Sequence, residues 1–103
     1  MPQVIKSNGT RVPFNAHKLQ TSLERALHKR PVTQEQIDET VALIEQRLYR
    51  LGKKEVASRI VGEMAMEELA KIDQVAYVRF ASVYKSFKDV SEFTQVIAEC
   101  KAK

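Results

Sequence analysis

The sequence predicts a small α+β domain in which a β-hairpin or three-stranded sheet caps a bundle of four to five helices. Three observations carry this expectation. Asn8-Gly9 lies between two short extended-type runs, and that dipeptide is a strong hairpin-turn signal. Apolar residues then recur at i, i+3, i+4 and i+7 along most of the remaining chain, the period of an amphipathic helix. Helix-capping residues punctuate the pattern at Asn15, Thr33, Asp73 and Asp89. At 103 residues the chain can bury one core but not two, so a single domain spanning residues 1–103 is expected.

Residues 4–14 form the expected hairpin. A two-residue turn at Asn8-Gly9 would set Ser7 opposite Thr10, Lys6 opposite Arg11 and Ile5 opposite Val12. Pro13 lacks an N–H and belongs at a strand end or edge. Asn15 caps a helix running to about His28, with Leu19, Leu23, Ala26 and Leu27 on one stripe. Phe14 and Leu19 take the two positions of a hydrophobic staple. After Arg30-Pro31, Thr33 and Gln36 make a capping box for a second helix lined by Ile37, Val41, Ile44 and Leu48, with Gly52 as its stop. Residues 53–56 can add a short third strand on the hairpin's edge. A third helix is expected over residues 58–71, with Ile60, Met64 and Leu69 inward. Asp73 caps a fourth, from Gln74 to about Phe87. Asp89 and Glu92 open a terminal amphipathic helix carrying Phe93, Val96, Ile97 and Cys100.

Composition narrows the function classes. A hydrophobic content of 44% with 29% charged residues is that of an ordinary globular chain. No apolar run approaches the roughly 18 residues of a membrane span, and the start lacks a signal-peptide core. Cys100 is the only cysteine, which excludes an internal disulfide and a Cys-rich zinc site; the expected setting is the reducing cytoplasm. The net charge of +4 is unevenly placed. Residues 1–31 carry Lys6, Arg11, Lys18, Arg25, Lys29 and Arg30 against Glu24 alone, while the rest of the chain is nearly neutral. Such a local patch points to an anionic partner, phosphates or nucleic acid.

The hairpin sharpens that reading. If Lys6 and Arg11 face each other across the strands, like charges oppose directly, which is destabilising. Lys18 adds a third cation in the first turn of the following helix, against the positive end of its dipole. Three unfavourable placements converge on one helix N-terminus, itself suited to phosphate. A bound polyphosphate would turn each cost into an attraction.

Residues 75–87, Val-Ala-Tyr-Val-Arg-Phe-Ala-Ser-Val-Tyr-Lys-Ser-Phe, set Tyr77, Phe80, Ala81, Tyr84 and Phe87 on one helical face. Each tyrosine offers a flat ring with a polar tip, which suits an aromatic ligand as well as a core. This string closely resembles the last core helix of the ATP-cone in the NrdR family of bacterial repressors of ribonucleotide reductase genes. Residues 4–19, Val-Ile-Lys-Ser-Asn-Gly-Thr-Arg-Val-Pro-Phe-Asn-Ala-His-Lys-Leu, resemble the nucleotide-cradling hairpin and first helix of the same domain. Residues 55–66, Glu-Val-Ala-Ser-Arg-Ile-Val-Gly-Glu-Met-Ala-Met, extend the likeness to almost the whole chain.

The resemblance implies that Lys6 and Lys18 contact phosphates, that Val4, Ser7 and Leu19 lie along the ligand, and that Tyr77 and Tyr84 close the pocket from the opposite side. Arg11, the hairpin's second basic residue, joins the expected nucleotide set. The implied ligands are ATP and dATP, with Mg2+ as a candidate companion. The implied partners are adenine nucleotides and further copies of the chain. Two departures stand out: Val12 occupies a position where ATP-cones commonly carry Glu, and the four-cysteine zinc ribbon that begins NrdR proteins is missing. The expectation is therefore an ATP-cone excised near a natural domain boundary, reaching DNA only through that missing ribbon.

Other chemistry is thinly represented. There is no Gly-x-x-x-x-Gly-Lys-Ser/Thr loop. His17 and His28 share one helix without ligand partners at metal spacing, and read as surface residues. Cys100 reads as a packing residue. No nucleophile or acid–base constellation is visible, so an enzyme is not expected. The expected function is an allosteric ATP/dATP-binding domain of an NrdR-type repressor, with nucleotide controlling oligomeric state and thereby DNA binding. The alternatives are the N-terminal ATP-cone of a ribonucleotide reductase large subunit and, from another class, a basic helical DNA-binding module.

Overall fold

A computed structural model describes residues 2–6 and 8–84, and for Tyr84 the backbone only. The chain runs β1 (Gln3–Ile5), β2 (Arg11–Pro13), α1 (Ala16–Ala26), α2 (Gln34–Arg50), β3 (Glu55–Ala57), α3 (Ser58–Ile72) and α4 (Gln74–Tyr84). The sheet order is β2-β1-β3, with β1 antiparallel to β2 and parallel to β3. The α+β expectation holds, with the three-stranded rather than the two-stranded sheet. The expected terminal helix with Phe93, Val96, Ile97 and Cys100 lies outside the described residues.

The hairpin register differs from expectation by one residue. Val4 pairs with Val12 and Ile5 with Arg11. Lys6 N–H donates to Thr10 C=O at 2.9 Å and Gly9 N–H to Lys6 C=O at 2.9 Å, so three residues rather than two form the loop. Gly9 supplies the left-handed step at φ +86° that closes such a loop. The cause is burial. In this register Val4, Val12 and Val56 share one face, and Val4 and Val56 pack on the helical core. Pairing Ile5 with Val12 would have sent Val4 and Val12 to opposite faces. Lys6 and Arg11 therefore do not oppose each other. Arg11 lies on the outer face and forms a salt bridge across the sheet to Glu55.

The helices follow their local signals closely. Asn15 Oδ1 accepts from Lys18 N–H at 3.1 Å, and Thr33 and Gln36 complete the capping box of α2. Helix α1 stops at Ala26, two residues before His28. Arg79 of α4 donates to the carbonyls of Ala26 (3.2 Å) and His28 (2.7 Å), and Lys29 turns left-handed at φ +61°. Gly52, at φ +63°, ends α2 as expected. The core gathers Leu19 and Leu23 from α1 and Leu27 just after it, Ile37, Ile44 and Leu48 from α2, Met64 and Leu69 from α3, and Tyr77 and Ala81 from α4. Leu23, Ile44, Leu48 and Leu69 are fully buried, each worth about 1.5–3 kcal/mol of transfer free energy. Glu68, nearly buried on α3, is held by Arg47 of α2 at 3.2 Å and Lys71 at 3.4 Å.

Asp73 ties the start of α4 to the α1–α2 connection. Its carboxylate accepts from Ala76 N–H at 2.8 Å and from Arg30 Nε at 2.9 Å, with its side chain only 6% exposed. Burial pushes its pKa up. The Ala76 hydrogen bond, the Arg30 guanidinium and Val75 N–H outweigh that and hold it below 3.8. A carboxyl with a depressed folded-state pKa stabilises above its unfolded value and loses that contribution as pH falls through the folded value. Asp73→Ala should therefore lower stability at neutral pH by about 1–2 kcal/mol, the range for losing an N-cap. The deficit relative to wild type should narrow below pH 3.8. Urea denaturation of both proteins across pH 2.5–7 checks this, and a pH-independent deficit would remove the charge from the account.

Candidate functional site

A cleft of about 600 Å³ opens where the sheet meets the N-terminal ends of α1 and α3. The hairpin lines it with Val4 of β1, Lys6 just beyond that strand, and Val12 and Pro13 of β2. The entry to α1 adds Phe14 and Asn15, and α1 itself adds Ala16, Lys18, Leu19 and Ser22. The far wall is Ser58, Val61 and Gly62 of α3 with Phe80 of α4. Its volume falls within the range of small-molecule sites.

Local sequence explains these positions. Alternation along β1 places Lys6 on the same face as Val4, so the lysine extends the inward row toward the cleft. The Asn15 cap fixes where α1 starts, which places Lys18 and Leu19 in its first turn, Leu19 buried and Lys18 exposed. Helix α3 begins directly after β3, and its N-cap Ala57 makes no side-chain hydrogen bond to the first turn. The positive ends of two helix dipoles thus border one cleft. Among the described residues, neither Lys6 nor Lys18 forms a salt bridge, and no carboxylate lines the cleft. The arrangement suits an anion with an apolar or aromatic body.

Of the residues singled out from the sequence, Val4, Lys6, Lys18 and Leu19 come together here. Arg11 does not line the cleft, because the register turns it outward to Glu55. Tyr77 is 3% exposed within the core and is not among the lining residues; Phe80, three residues on, lines the wall instead. Ser7 and the Tyr84 side chain lie outside the described residues. Sequence reasoning passed over Phe14, Ser22, Ser58, Val61 and Gly62. The spacing of Ser58, Val61 and Gly62 at i, i+3 and i+4 marks one face of α3, and a glycine inside that helix was the available signal. His17 and His28 are exposed, as expected. Among the described residues no group of three or more His, Cys, Asp or Glu could hold a metal ion, and no helix is long and apolar enough to cross a membrane.

Residues 2–90 match the ATP cone domain family. The chain is 56% identical over 99 residues to the transcriptional repressor NrdR of Laribacter hongkongensis, covering 96% of this chain and 65% of that protein. It is 57% identical over 99 residues to the transcriptional repressor NrdR of Chromobacterium violaceum, with the same coverage. It is 54% identical over 101 residues to that of Nitrosomonas eutropha, covering 98% of this chain and 63% of that protein. The chain thus spans a little under two thirds of the length of these relatives. The match spans every described element from β1 to α4, and the chain belongs to the ATP cone domain family.

Proposed function

We propose that this chain is the nucleotide-sensing domain of a cytoplasmic, non-enzymatic NrdR-type transcriptional repressor, and that it binds ATP and dATP in the cleft between the sheet, α1 and α3. The observation that carries the reading is the convergence of Lys6, Lys18 and two helix N-termini on an apolar-walled cleft that, among the described residues, no carboxylate lines. The lysines would hold the phosphates, and Val4, Leu19 and Phe80 would flank the nucleoside. The residues fit a triphosphate without a metal ligand of their own, so Mg2+ would travel with the nucleotide. Ser7, Tyr77 and Tyr84 remain assigned by resemblance. For Tyr77, whose ring lies in the core, the role would be to support the wall behind Phe80.

Different nucleotides would favour different assemblies of the full-length repressor, and those assemblies would differ in affinity for operator DNA. Only unequal nucleotide affinity between assemblies can drive such a switch. The relatives' shared name supports the repressor over a reductase subunit. The position of the cations within a cleft argues against a basic DNA-binding face. Calorimetric titration with ATP, dATP and GTP, followed by light scattering of each mixture, tests the proposal. Adenine-selective binding with a nucleotide-dependent mass is expected. No binding of any nucleotide would end the reading.

A further inference from the structure

Arg79 is not among the residues lining the cleft, yet it fastens together two of the helices that form it. Its guanidinium donates from Nη1 to the carbonyls of Ala26 at 3.2 Å and His28 at 2.7 Å. Ala26 ends α1, so a cation from α4 meets the negative end of the α1 dipole. Among the described residues Arg79 forms no salt bridge, which leaves these carbonyls as its anchor. The next residue, Phe80, lines the cleft together with Leu19 and Ser22 of α1. Ser22 lies about one helical turn before Ala26, so the tie and the cleft occupy neighbouring turns of one helix pair. A second cavity of about 390 Å³ shares Ser22 and Phe80 with the cleft and Ala26 and Arg79 with the tie. Side chains leave that stretch between α1 and α4 unfilled, so the polar tie rather than packing holds the spacing there.

We propose that Arg79 is a positioning residue for nucleotide binding: by pinning α4 to the last turn of α1, it sets how far Phe80 stands from Leu19 and Ser22 across the cleft. The inference rests on the nucleotide reading and deepens it. Lys6, Lys18 and the N-termini of α1 and α3 keep the phosphates, and Arg79 acts on the nucleoside through Phe80. An aromatic ring contacts a flat ligand favourably only over a narrow range of separations. Without the tie, that separation has to be fixed anew at each binding event, an ordering cost that lowers affinity. Arg79 is itself exposed, so water can replace it at the two carbonyls and the fold survives its loss.

The test is calorimetric titration with ATP of Arg79→Met, Phe80→Leu, the two combined, and Arg25→Met, at a temperature where circular dichroism shows each chain folded. Methionine keeps an unbranched stem and removes the donor; Arg79→Gln, too short to span both carbonyls, replaces it in the cycle if that variant does not fold. Arg79→Met is expected to lose affinity fivefold or more. Phe80→Leu should lose affinity by itself, and adding Arg79→Met to it should cost less than a further twofold, because the two residues act as one. Arg25→Met, which removes a cation from the second cavity but leaves the tie, should stay within twofold of wild type. Undiminished affinity in Arg79→Met or in Phe80→Leu would overturn the proposal. So would additive losses in the combined variant, which would make Arg79 a structural residue acting apart from Phe80. An equal loss in Arg25→Met would overturn it as well, in favour of a diffuse charge effect. Wild-type protein titrated alongside separates the two levels: failure to bind ATP there ends the nucleotide reading itself, and the inference with it.

Discussion

Leu23→Ala should lower the free energy of unfolding by about 2–5 kcal/mol, the range for truncating a fully buried leucine. Leu23 is 0% exposed, in the middle of α1, and belongs to the single core that also holds Ile44, Leu48 and Leu69. The substitution removes transfer free energy and leaves a cavity that a closely packed core fills only in part. A domain of this size has roughly 5–15 kcal/mol in total, so the variant should be measurably less stable though still folded at 25 °C. Denaturant unfolding should show a lower midpoint with an unchanged slope. A loss under about 1 kcal/mol would mean that α1 is less firmly seated than its burial states. The consequence for the cleft is direct, because the same helix carries Lys18, Leu19 and Ser22.

Lys6→Ala and Lys18→Ala should each weaken ATP binding by about 1–3 kcal/mol, the range for a charge-assisted hydrogen bond. That corresponds to about 5- to 150-fold in affinity. The two lysines reach the cleft from different places, the end of β1 and the first turn of α1, so both single variants should show the loss. Stability without ligand should change little for Lys6→Ala. Relief of repulsion from Arg11 is not expected, since Arg11 lies on the other face of the sheet and pairs with Glu55. Arg11→Ala serves as the contrasting variant: it removes a cation from the same hairpin but not from the cleft. Titration of the three variants with ATP at two salt concentrations decides the matter. Equal losses for all three would point to a diffuse basic patch, and no loss for either lysine would remove the phosphate cradle.

Helix positions were legible because their signals are local. Asn15, the Thr33–Gln36 pair and Asp73 each act within one helical turn, and all three cap where the sequence places them. The apolar stripe of α1 was equally readable, because a 3.6-residue period depends only on the helix itself. The end of α1 was not. Arg79, more than fifty residues away, takes the carbonyls of Ala26 and His28, and no pattern within α1 announces it. Tyr77 and Phe80 show the same limit. Both lie on the apolar side of one helix, but the direction in which α3 and α1 pack against α4 buries the tyrosine and leaves the phenylalanine on the cleft wall.

The sequence by itself determined the elements described between β1 and α4, the caps at Asn15, Thr33 and Asp73, and the concentration of cations in the first third of the chain, because each is a property of residues near one another along the chain. It also determined that Lys6 and Lys18 lie close to a helix start. Only the tertiary structure decided which cations share a cleft. A one-residue change of register moves every strand side chain to the opposite face, and the choice was made by burying Val4 and Val56 against helices distant in sequence. That choice left Lys6 beside the N-termini of α1 and α3 and turned Arg11 away to Glu55. The far wall of Ser58, Val61, Gly62 and Phe80 likewise exists only once α3 and α4 pack together across the core from α1.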